Sequence, residues 1–322
     1  MHRSTIKQRD KQKGKRETQR RNESYRQYAF AGTLLIIAII IGASVISSQM
    51  HVEHIPDNFQ FTTQPWMQYV PNPVEYLTFV NFDGAFETSK KPQLFGSEPL
   101  VQLYQLNYSI YPRDATYEVD LQLPLPEYGG TVSIIKLHNQ TTATLQAELR
   151  EAPQISHNSY QGFTVHGLLI KKAGDQTVLQ GFISLAGDYA VLSNDQAKGR
   201  EEVERVLDQF TFNGPSLFDD PTVRRGVYAT GASEREYIGL YIGMFQTQLN
   251  DSKMIIKAVV QDGNGILVTR SILFPSTDTA FNQVAEAHRI YRDASSYRVL
   301  DTWLVVAYKY PIERLRPELS GA

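Results

Sequence analysis

The amino-acid sequence predicts an α+β protein in which a single N-terminal transmembrane helix precedes two tandem, mainly antiparallel α/β sandwich-like units. Three observations predict this fold class. One long apolar run lies near the N-terminus, and the rest of the chain contains no second run of that kind. Beyond it, β-branched and aromatic segments come in pairs separated by turn residues. A helix-like segment then follows such a hairpin in each half of the chain, which suggests a structural duplication.

The composition narrows the range of functions. The chain has 322 residues and no cysteine. This excludes disulfide frameworks, Cys-ligated zinc, iron–sulfur clusters and thiol nucleophiles. With 42% hydrophobic and 20% charged residues, the chain is neither disordered throughout nor a protein with many membrane spans.

The N-terminal region combines a basic tail with an apolar span. Residues 1–28 contain ten basic and three acidic side chains, a net charge of +7, and almost no large aliphatic residue. We therefore expect a disordered cytoplasmic tail. Residues 29–46 carry no charge, and a helix of that length spans about 27 Å, close to the hydrocarbon thickness of a bilayer. Residues 29–50 are accordingly predicted to be an uncleaved signal-anchor.

The distribution of basic residues predicts the orientation of the span. Ten Lys and Arg side chains precede it, and none follows until Lys90. The positive-inside rule then places the N-terminus in the cytoplasm and residues 51–322 outside the plasma membrane. The alternative is a cleavable signal peptide, for which only Val45-Ile46-Ser47 weakly fits a cleavage site. The tail is expected to contact anionic lipid. Nucleic acid is not an expected partner, because the tail lacks stacking aromatics away from the membrane.

The outer part is predicted to form two domains after a proline-rich juxtamembrane linker at residues 51–73. The first extracytoplasmic domain covers residues 74–212 and the second covers 217–322. In the first domain we expect strands at 74–82, 117–123, 131–137, 163–172, 177–186 and 189–193, and helices at 141–152 and 195–210. In the second domain we expect strands at 227–230, 237–245, 254–260, 266–274, 297–300 and 303–310, a helix at 278–291 and a terminal helix from Pro311.

The predicted strand at 117–123 illustrates the argument from alternation. Val119, Leu121 and Leu123 share one face and are expected in a core, whereas Glu118 and Asp120 share the opposite face and are expected in water.

No cofactor, metal or catalytic residue is predicted. His51 and His54 are close in sequence but lie in the proline-containing linker, so a solvated pair is the favoured interpretation. The segment from Asp262 to Gly265 resembles a calcium loop only superficially, because a strand follows at once. Asp219 and Asp220 precede a proline and indicate a turn before a strand. The motifs of serine hydrolases, phosphate-binding loops, zinc proteases and dinucleotide folds are missing.

Aromatic residues and sequons provide the remaining candidates. The 18 Tyr and 15 Phe residues suit surfaces that bind proteins or glycans, although sheet faces also use tyrosine. Trp66, Tyr69 and Tyr76, near the entrance to the first domain, are the predicted binding patch. The outer part also contains three sequons that permit glycosylation in a suitable cell envelope, at Asn107, Asn139 and Asn250.

These observations favour a membrane-tethered extracytoplasmic protein without catalytic activity, which binds an envelope protein or glycan or forms part of a membrane complex. The alternative is an extracytoplasmic hydrolase with its site in the cleft between the two domains.

Overall fold

The chain divides into two compact units, Met1–His51 and Val52–Ala322. The computed structural model describes residues 52–83, 114–124, 131–151, 157–171, 177–233, 235–244, 247–263 and 265–311, all of which belong to the second unit. Among these residues, no helix has the length and apolar character needed to cross a membrane. The predicted tail, the predicted span and the predicted C-terminal helix lie outside the described residues.

The described residues form an α+β fold with one large mixed sheet and few helices. The strands are β1 (Val52–Glu53), β2 (Tyr76–Asn81), β3 (Ala115–Gln122), β4 (Thr131–Leu137), β5 (His157–Tyr160), β6 (Phe163–Lys171), β7 (Thr177–Ala186), β8 (Tyr189–Ser193), β9 (Tyr237–Met244), β10 (Met254–Asp262), β11 (Gly265–Leu273), β12 (Ser296–Leu300) and β13 (Trp303–Pro311). The helices are α1 (Asn139–Glu151), α2 (Gly199–Phe212), α3 (Pro221–Ala229), α4 (Thr277–Asn282) and α5 (Val284–Ile290), with short 3-10 turns at Pro65–Tyr69 and Leu217–Asp219.

The two halves of the sheet share one strand order. Across the sheet the order is β1-β12-β13-β11-β10-β9-β2-β3-β4-β8-β7-β6-β5. From the central β2–β9 pair outward, each half presents three consecutive strands, then its last strand, then the strand before it. Phe79 of β2 lies opposite Leu240 of β9 in the antiparallel pair that joins the halves. The predicted hairpin at β3–β4 and its counterpart at β10–β11 are both present, and each leads into a helix.

The main hydrophobic core lies on one face of this sheet. Alternate residues of the central strands supply it, because successive side chains of a strand point to opposite faces. Helices α2 and α3 pack on this face, and Val203, Val206 and Leu207 of α2 are fully buried, as their helical spacing predicts. A second cluster lies on the opposite face, where Leu145 and Leu149 of α1 pack against β4, β7 and β8. In the half formed by β2–β8, both faces of the sheet therefore carry a hydrophobic cluster.

Residues 52–74 belong to the folded unit, in contrast to the linker that the prolines predict. The short strand β1 pairs in parallel with β12. Trp66 and Met67, in the first 3-10 turn, are 1% and 0% exposed and contribute to the main core. The prolines of this segment lie in turns that fold the chain back onto the sheet. Proline content alone does not distinguish such a packed, irregular segment from a linker.

The acidic face of β3 corrects the expectation that Glu118 and Asp120 lie in water. Glu118 is 0% exposed and Asp120 is 7% exposed. The Ser133 hydroxyl on β4 donates a hydrogen bond of 2.5 Å to the Asp120 carboxylate. Alternating apolar and acidic residues predict an exposed acidic face only where one face of the sheet is in contact with solvent. In this part of the sheet both faces of β3 are covered, so the acidic residues are buried as well.

Residues 227–230 correct a second expectation, because they form the last turn and the C-cap of a helix rather than a strand. Helix α3 begins after Asp220, whose carboxylate accepts a hydrogen bond of 2.7 Å from the Thr222 amide. Pro221 occupies the first helical position, where its missing N–H costs nothing. The Asp-Pro pair is thus a helix start, and Val227 and Ala229, which were expected in the strand, are buried residues of the helix.

The predicted helix at 278–291 is two shorter helices. Helices α4 and α5 are separated at Gln283, which serves as the C-cap of the first and the N-cap of the second. Apolar side chains on either side of the break meet different surroundings, because Val284 is 4% exposed and Phe281 is 42% exposed.

Candidate functional site

A pocket of about 290 Å³ opens between the C-terminal half of α1 and the strands β6 and β7. It lies on the face of the sheet opposite the main core, beside the second hydrophobic cluster. Its lining residues are Gln146, Leu149, Arg150, Gly162, Phe163, Thr164, His166 and Leu185. Ligand sites in proteins are generally concave, with placed polar groups beside apolar ones. In this pocket most of the accessible lining is polar, and Leu149 and Leu185 lie beside the polar groups.

Helix α1 forms one wall of the pocket with side chains from two successive turns. Leu145 and Leu149 are buried against the sheet and fix the rotation of the helix. Gln146 and Arg150 are one turn apart, so they project on the same side of α1, and both are exposed. The pocket wall therefore places an amide and a guanidinium beside the buried Leu149.

The β5–β6 hairpin supplies the opposite wall. Its turn requires Gln161 and Gly162 at φ values of 49° and 88°, and glycine adopts the second value without steric cost. After the turn, Thr164 and His166 alternate with Val165, which belongs to the main core. The Thr164 hydroxyl and the His166 imidazole are thereby placed on the side of β6 that faces α1.

Arg150 dominates the charge of the pocket. Among the described residues it makes no ion pair, and the described lining residues include no aspartate or glutamate. Glu148 and Glu151 are its nearest acidic neighbours in sequence, but residues one or two positions apart on a helix do not face each other. The described walls therefore present a cationic group within a mainly polar lining, beside Leu149 and Leu185.

The predicted patch of Trp66, Tyr69 and Tyr76 does not form one exposed surface. Trp66 is buried and stacks on Phe79 with 4.4 Å between ring centroids. Tyr69 is half-buried and stacks on Phe210 at 4.0 Å. Tyr76 lies on the other face of β2, and its hydroxyl shares a hydrogen bond of 3.0 Å with the hydroxyl of Thr131.

The sequons fall in different environments. Asn139 is the first residue of α1 and is exposed. Asn250 is exposed in the turn that precedes β10. Asn107 lies outside the described residues.

The described histidine and aspartate candidates for metal binding form ion pairs or hydrogen bonds with other residues of the protein. In the described part of the chain, no group of three or more histidine, aspartate or glutamate side chains is placed to hold a metal ion. The Asp262 carboxylate pairs with Arg235 at 3.1 Å and with Lys309 at 3.5 Å. Asp219 instead accepts a hydrogen bond from the Ser216 amide at the second 3-10 turn. His51 lies outside the described residues, whereas His54 contacts Asp301.

Asp301 fixes the beginning of the folded unit to the turn between β12 and β13. Its carboxylate accepts hydrogen bonds from His54 Nδ1 at 2.8 Å, from the Ile55 amide at 3.1 Å and from Arg225 Nη2 at 3.1 Å. Burial alone would raise the pKa of Asp301, but these hydrogen bonds and the charge of Arg225 outweigh it and hold the pKa below its ordinary value of 3.8. The Asp301 amide in turn donates to the Glu53 carbonyl.

The pocket was missed at the level of the sequence for an identifiable reason. Gln146 and Arg150 are ordinary residues for the outer face of a helix, and nothing in their spacing indicates a partner strand. Only the pairing of β5 with β6 brings Thr164 and His166 across from α1, and β5 itself carries no β-branched or alternating pattern. A signal was present in the Gln161-Gly162 turn, which indicates a hairpin beside α1.

Comparison with known proteins gives a limited result. No protein-family model matches the chain, and no curated protein matches it. Among solved structures, the chain is similar to crystal form I of TP0453, at 13% identity with a TM-score of 0.47, covering 80% of this chain and 97% of that one. Crystal form IV gives 11% identity, a TM-score of 0.46 and coverages of 81% and 98%. Crystal form III gives 12% identity, a TM-score of 0.45 and coverages of 81% and 99%.

Proposed function

We propose that this chain is a membrane-tethered extracytoplasmic binding protein, without catalytic activity, that recognises part of another envelope component in the pocket between α1 and β6. The single observation that carries the proposal is the pocket itself. It combines a guanidinium without an ion pair among the described residues, an amide, a hydroxyl and the His166 imidazole with two leucines, and its described lining includes no serine and no carboxylate. Such walls suit binding and orientation of a ligand better than nucleophilic or acid–base catalysis by a serine or a carboxylate.

The tether rests on the sequence. The uncharged run at 29–46 is long enough to cross a bilayer, and the basic tail before it favours an N-terminus in the cytoplasm with residues 51–322 outside. Contact of the tail with anionic lipid would add to the anchoring. On this view the protein has a single span in the plasma membrane.

The proposal also treats the two halves, 74–212 and 217–322, as products of a structural duplication. Their common strand order around the β2–β9 pair supports this. The first half carries the β5–β6 hairpin in addition, and that hairpin forms one wall of the pocket. The binding site would therefore be an addition to one copy of a shared framework.

Site-specific photo-crosslinking in native membranes tests the proposal. A photoreactive amino acid at Gln146, on the pocket wall, is compared with one at Gln261, an exposed position at the end of β10. We expect a discrete adduct from position 146 and none from position 261. Equal labelling from both positions would contradict a binding function for the pocket. Turnover of a generic ester, phosphoester or glycoside, abolished by substitution of one serine or acidic residue, would instead favour the hydrolase.

A further inference from the structure

We infer that the pocket between α1 and β6 takes a ligand that carries a carboxylate beside a small apolar body. This inference rests on the proposed binding function and names the chemical class of the ligand. Arg150 lies in the wall of the pocket, where no described acidic side chain neutralises its charge. A guanidinium presents donors in a planar fork that matches the two oxygens of a carboxylate.

The helix dipole offers a competing explanation for Arg150. A basic residue in the last turn of a helix interacts favourably with the helix C-terminus, and Arg150 occupies that turn in α1. The same dipole opposes an anion. However, the C-terminus corresponds to roughly half a negative charge, whereas the guanidinium carries a full positive charge, so the local field still favours an anion. The dipole explains a basic residue at this position, but it does not explain the pocket beside it.

The other walls define the remainder of the ligand. Gln146 and Thr164 provide an amide and a hydroxyl, which donate hydrogen bonds to carboxylate oxygens. Leu149 is 2% exposed and belongs to the second hydrophobic cluster, against which Leu185 packs. An ionised group near Arg150 and a small apolar group against Leu185, the more exposed of the two leucines, fit this lining.

The volume limits the size of the apolar body. Water occupies about 30 Å³ per molecule in the liquid, so a space of about 290 Å³ holds roughly ten non-hydrogen atoms. Phenylacetate has this size and carries one carboxylate, which makes it a suitable probe. A ligand this small is expected to bind with a dissociation constant on the order of 1 mM.

Ligand-observed NMR on the full chain in detergent micelles tests the inference. Saturation transfer to phenylacetate is compared with transfer to phenylacetamide, which has nearly the same shape but no charge. We expect phenylacetate to bind roughly tenfold more tightly than the amide. Arg150→Gln should remove this preference, and Arg150→Lys should restore part of it. Arg292→Gln is the matched control, because Arg292 is exposed just beyond the end of α5 and does not line the pocket.

The outcomes separate the two proposals. Equal affinity for the acid and the amide in the wild-type protein would overturn the carboxylate inference and leave the binding pocket in place. An equal loss of preference in Arg150→Gln and Arg292→Gln would overturn it as well. Failure of both probes to bind, together with equal photo-crosslinking from positions 146 and 261, would overturn the binding function itself. Unfolding midpoints measured for each variant show whether a loss arises from the site or from the fold.

Discussion

Replacing Asp301 with asparagine should destabilise the folded unit by about 1–2 kcal/mol at neutral pH. Asp301 has a positive φ of 49°, a conformation that asparagine also tolerates, so the substitution preserves the backbone and removes the charge. The asparagine oxygen can still accept one hydrogen bond. The substitution removes the negative charge of the carboxylate, which strengthens its hydrogen bonds from the Ile55 amide, Arg225 and His54.

The magnitude follows from the exposure of each partner. The Asp301 side chain is 21% exposed, whereas those of Arg225 and His54 are 39% and 82% exposed. A hydrogen bond from the partly buried Ile55 amide to a charged acceptor contributes on the order of 1.5 kcal/mol. The exposed Arg225 pair adds about 0.5 kcal/mol, and the His54 contact adds close to zero because solvent screens it.

The pH dependence has a definite sign. The pKa of Asp301 is lower in the folded than in the unfolded state, so ionisation stabilises the fold above the unfolded pKa. This contribution disappears as the pH falls through the folded pKa. The stability difference between the wild-type protein and Asp301→Asn should therefore be constant near neutral pH and shrink in acid below the ordinary pKa of 3.8.

Urea denaturation of the full chain in detergent, followed by circular dichroism across a pH series, measures this difference. Asp57→Asn is the control, since Asp57 is exposed in the same N-terminal segment and should change stability by less than about 0.5 kcal/mol. A difference for Asp301→Asn that stays constant into strong acid, or that matches the control at pH 7, would refute the electrostatic explanation.

Three further predictions concern packing and topology. Gly226→Ala should destabilise the protein by about 1–2 kcal/mol in denaturant titrations. The new Cβ would lie 2.4 Å from Trp303, and this crowding outweighs the gain in helix propensity. A more stable variant would contradict the packing of α3 on the sheet. Phe210→Ala should cost about 2–4 kcal/mol by removing the ring that stacks on Tyr69, whereas Phe212→Ala, at a position 64% exposed, should cost little; equal effects would contradict the orientation of α2. Protease added to intact cells should degrade residues 51–322 and spare the basic tail, and protection of the large C-terminal part would contradict the proposed orientation.

The sheet was predictable from sequence where hairpins are local. The β3–β4, β6–β7 and β10–β11 pairs are each present as predicted, because their strands alternate and are connected over short distances along the chain. The order of strands across the sheet was not predictable. The central β2–β9 pair joins residues that lie far apart in the sequence, and no local pattern encodes that contact.

The errors have a common physical origin in tertiary contacts. Glu118 and Asp120 were expected in water because charge usually marks a solvated face, yet both are buried in the folded unit. Residues 227–230 were expected in a strand, but the cap at Asp220 and packing on the sheet place 227–229 in helix α3. In each case the surroundings of the segment outweighed its own preference.

The candidate site was the least predictable part. Aromatic content directed attention to Trp66 and Tyr69, which pack against Phe79 and Phe210 within the fold. The pocket instead depends on Arg150, a polar residue of a common type, and on a hairpin whose first strand has no clear strand pattern. Its assembly depends on how α1 docks on the sheet, and this information is absent from any single segment.

The most direct test of a binding pocket between α1 and β6 is to fill it. Thr164 is exposed on β6 and lines the pocket, and tryptophan is well tolerated on strands, so Thr164→Trp should occupy the space without disturbing the core. In native membranes, photo-crosslinking from position 146 should fall roughly tenfold in this variant while its unfolding midpoint stays unchanged. Undiminished crosslinking in a folded Thr164→Trp protein would show that the ligand binds elsewhere.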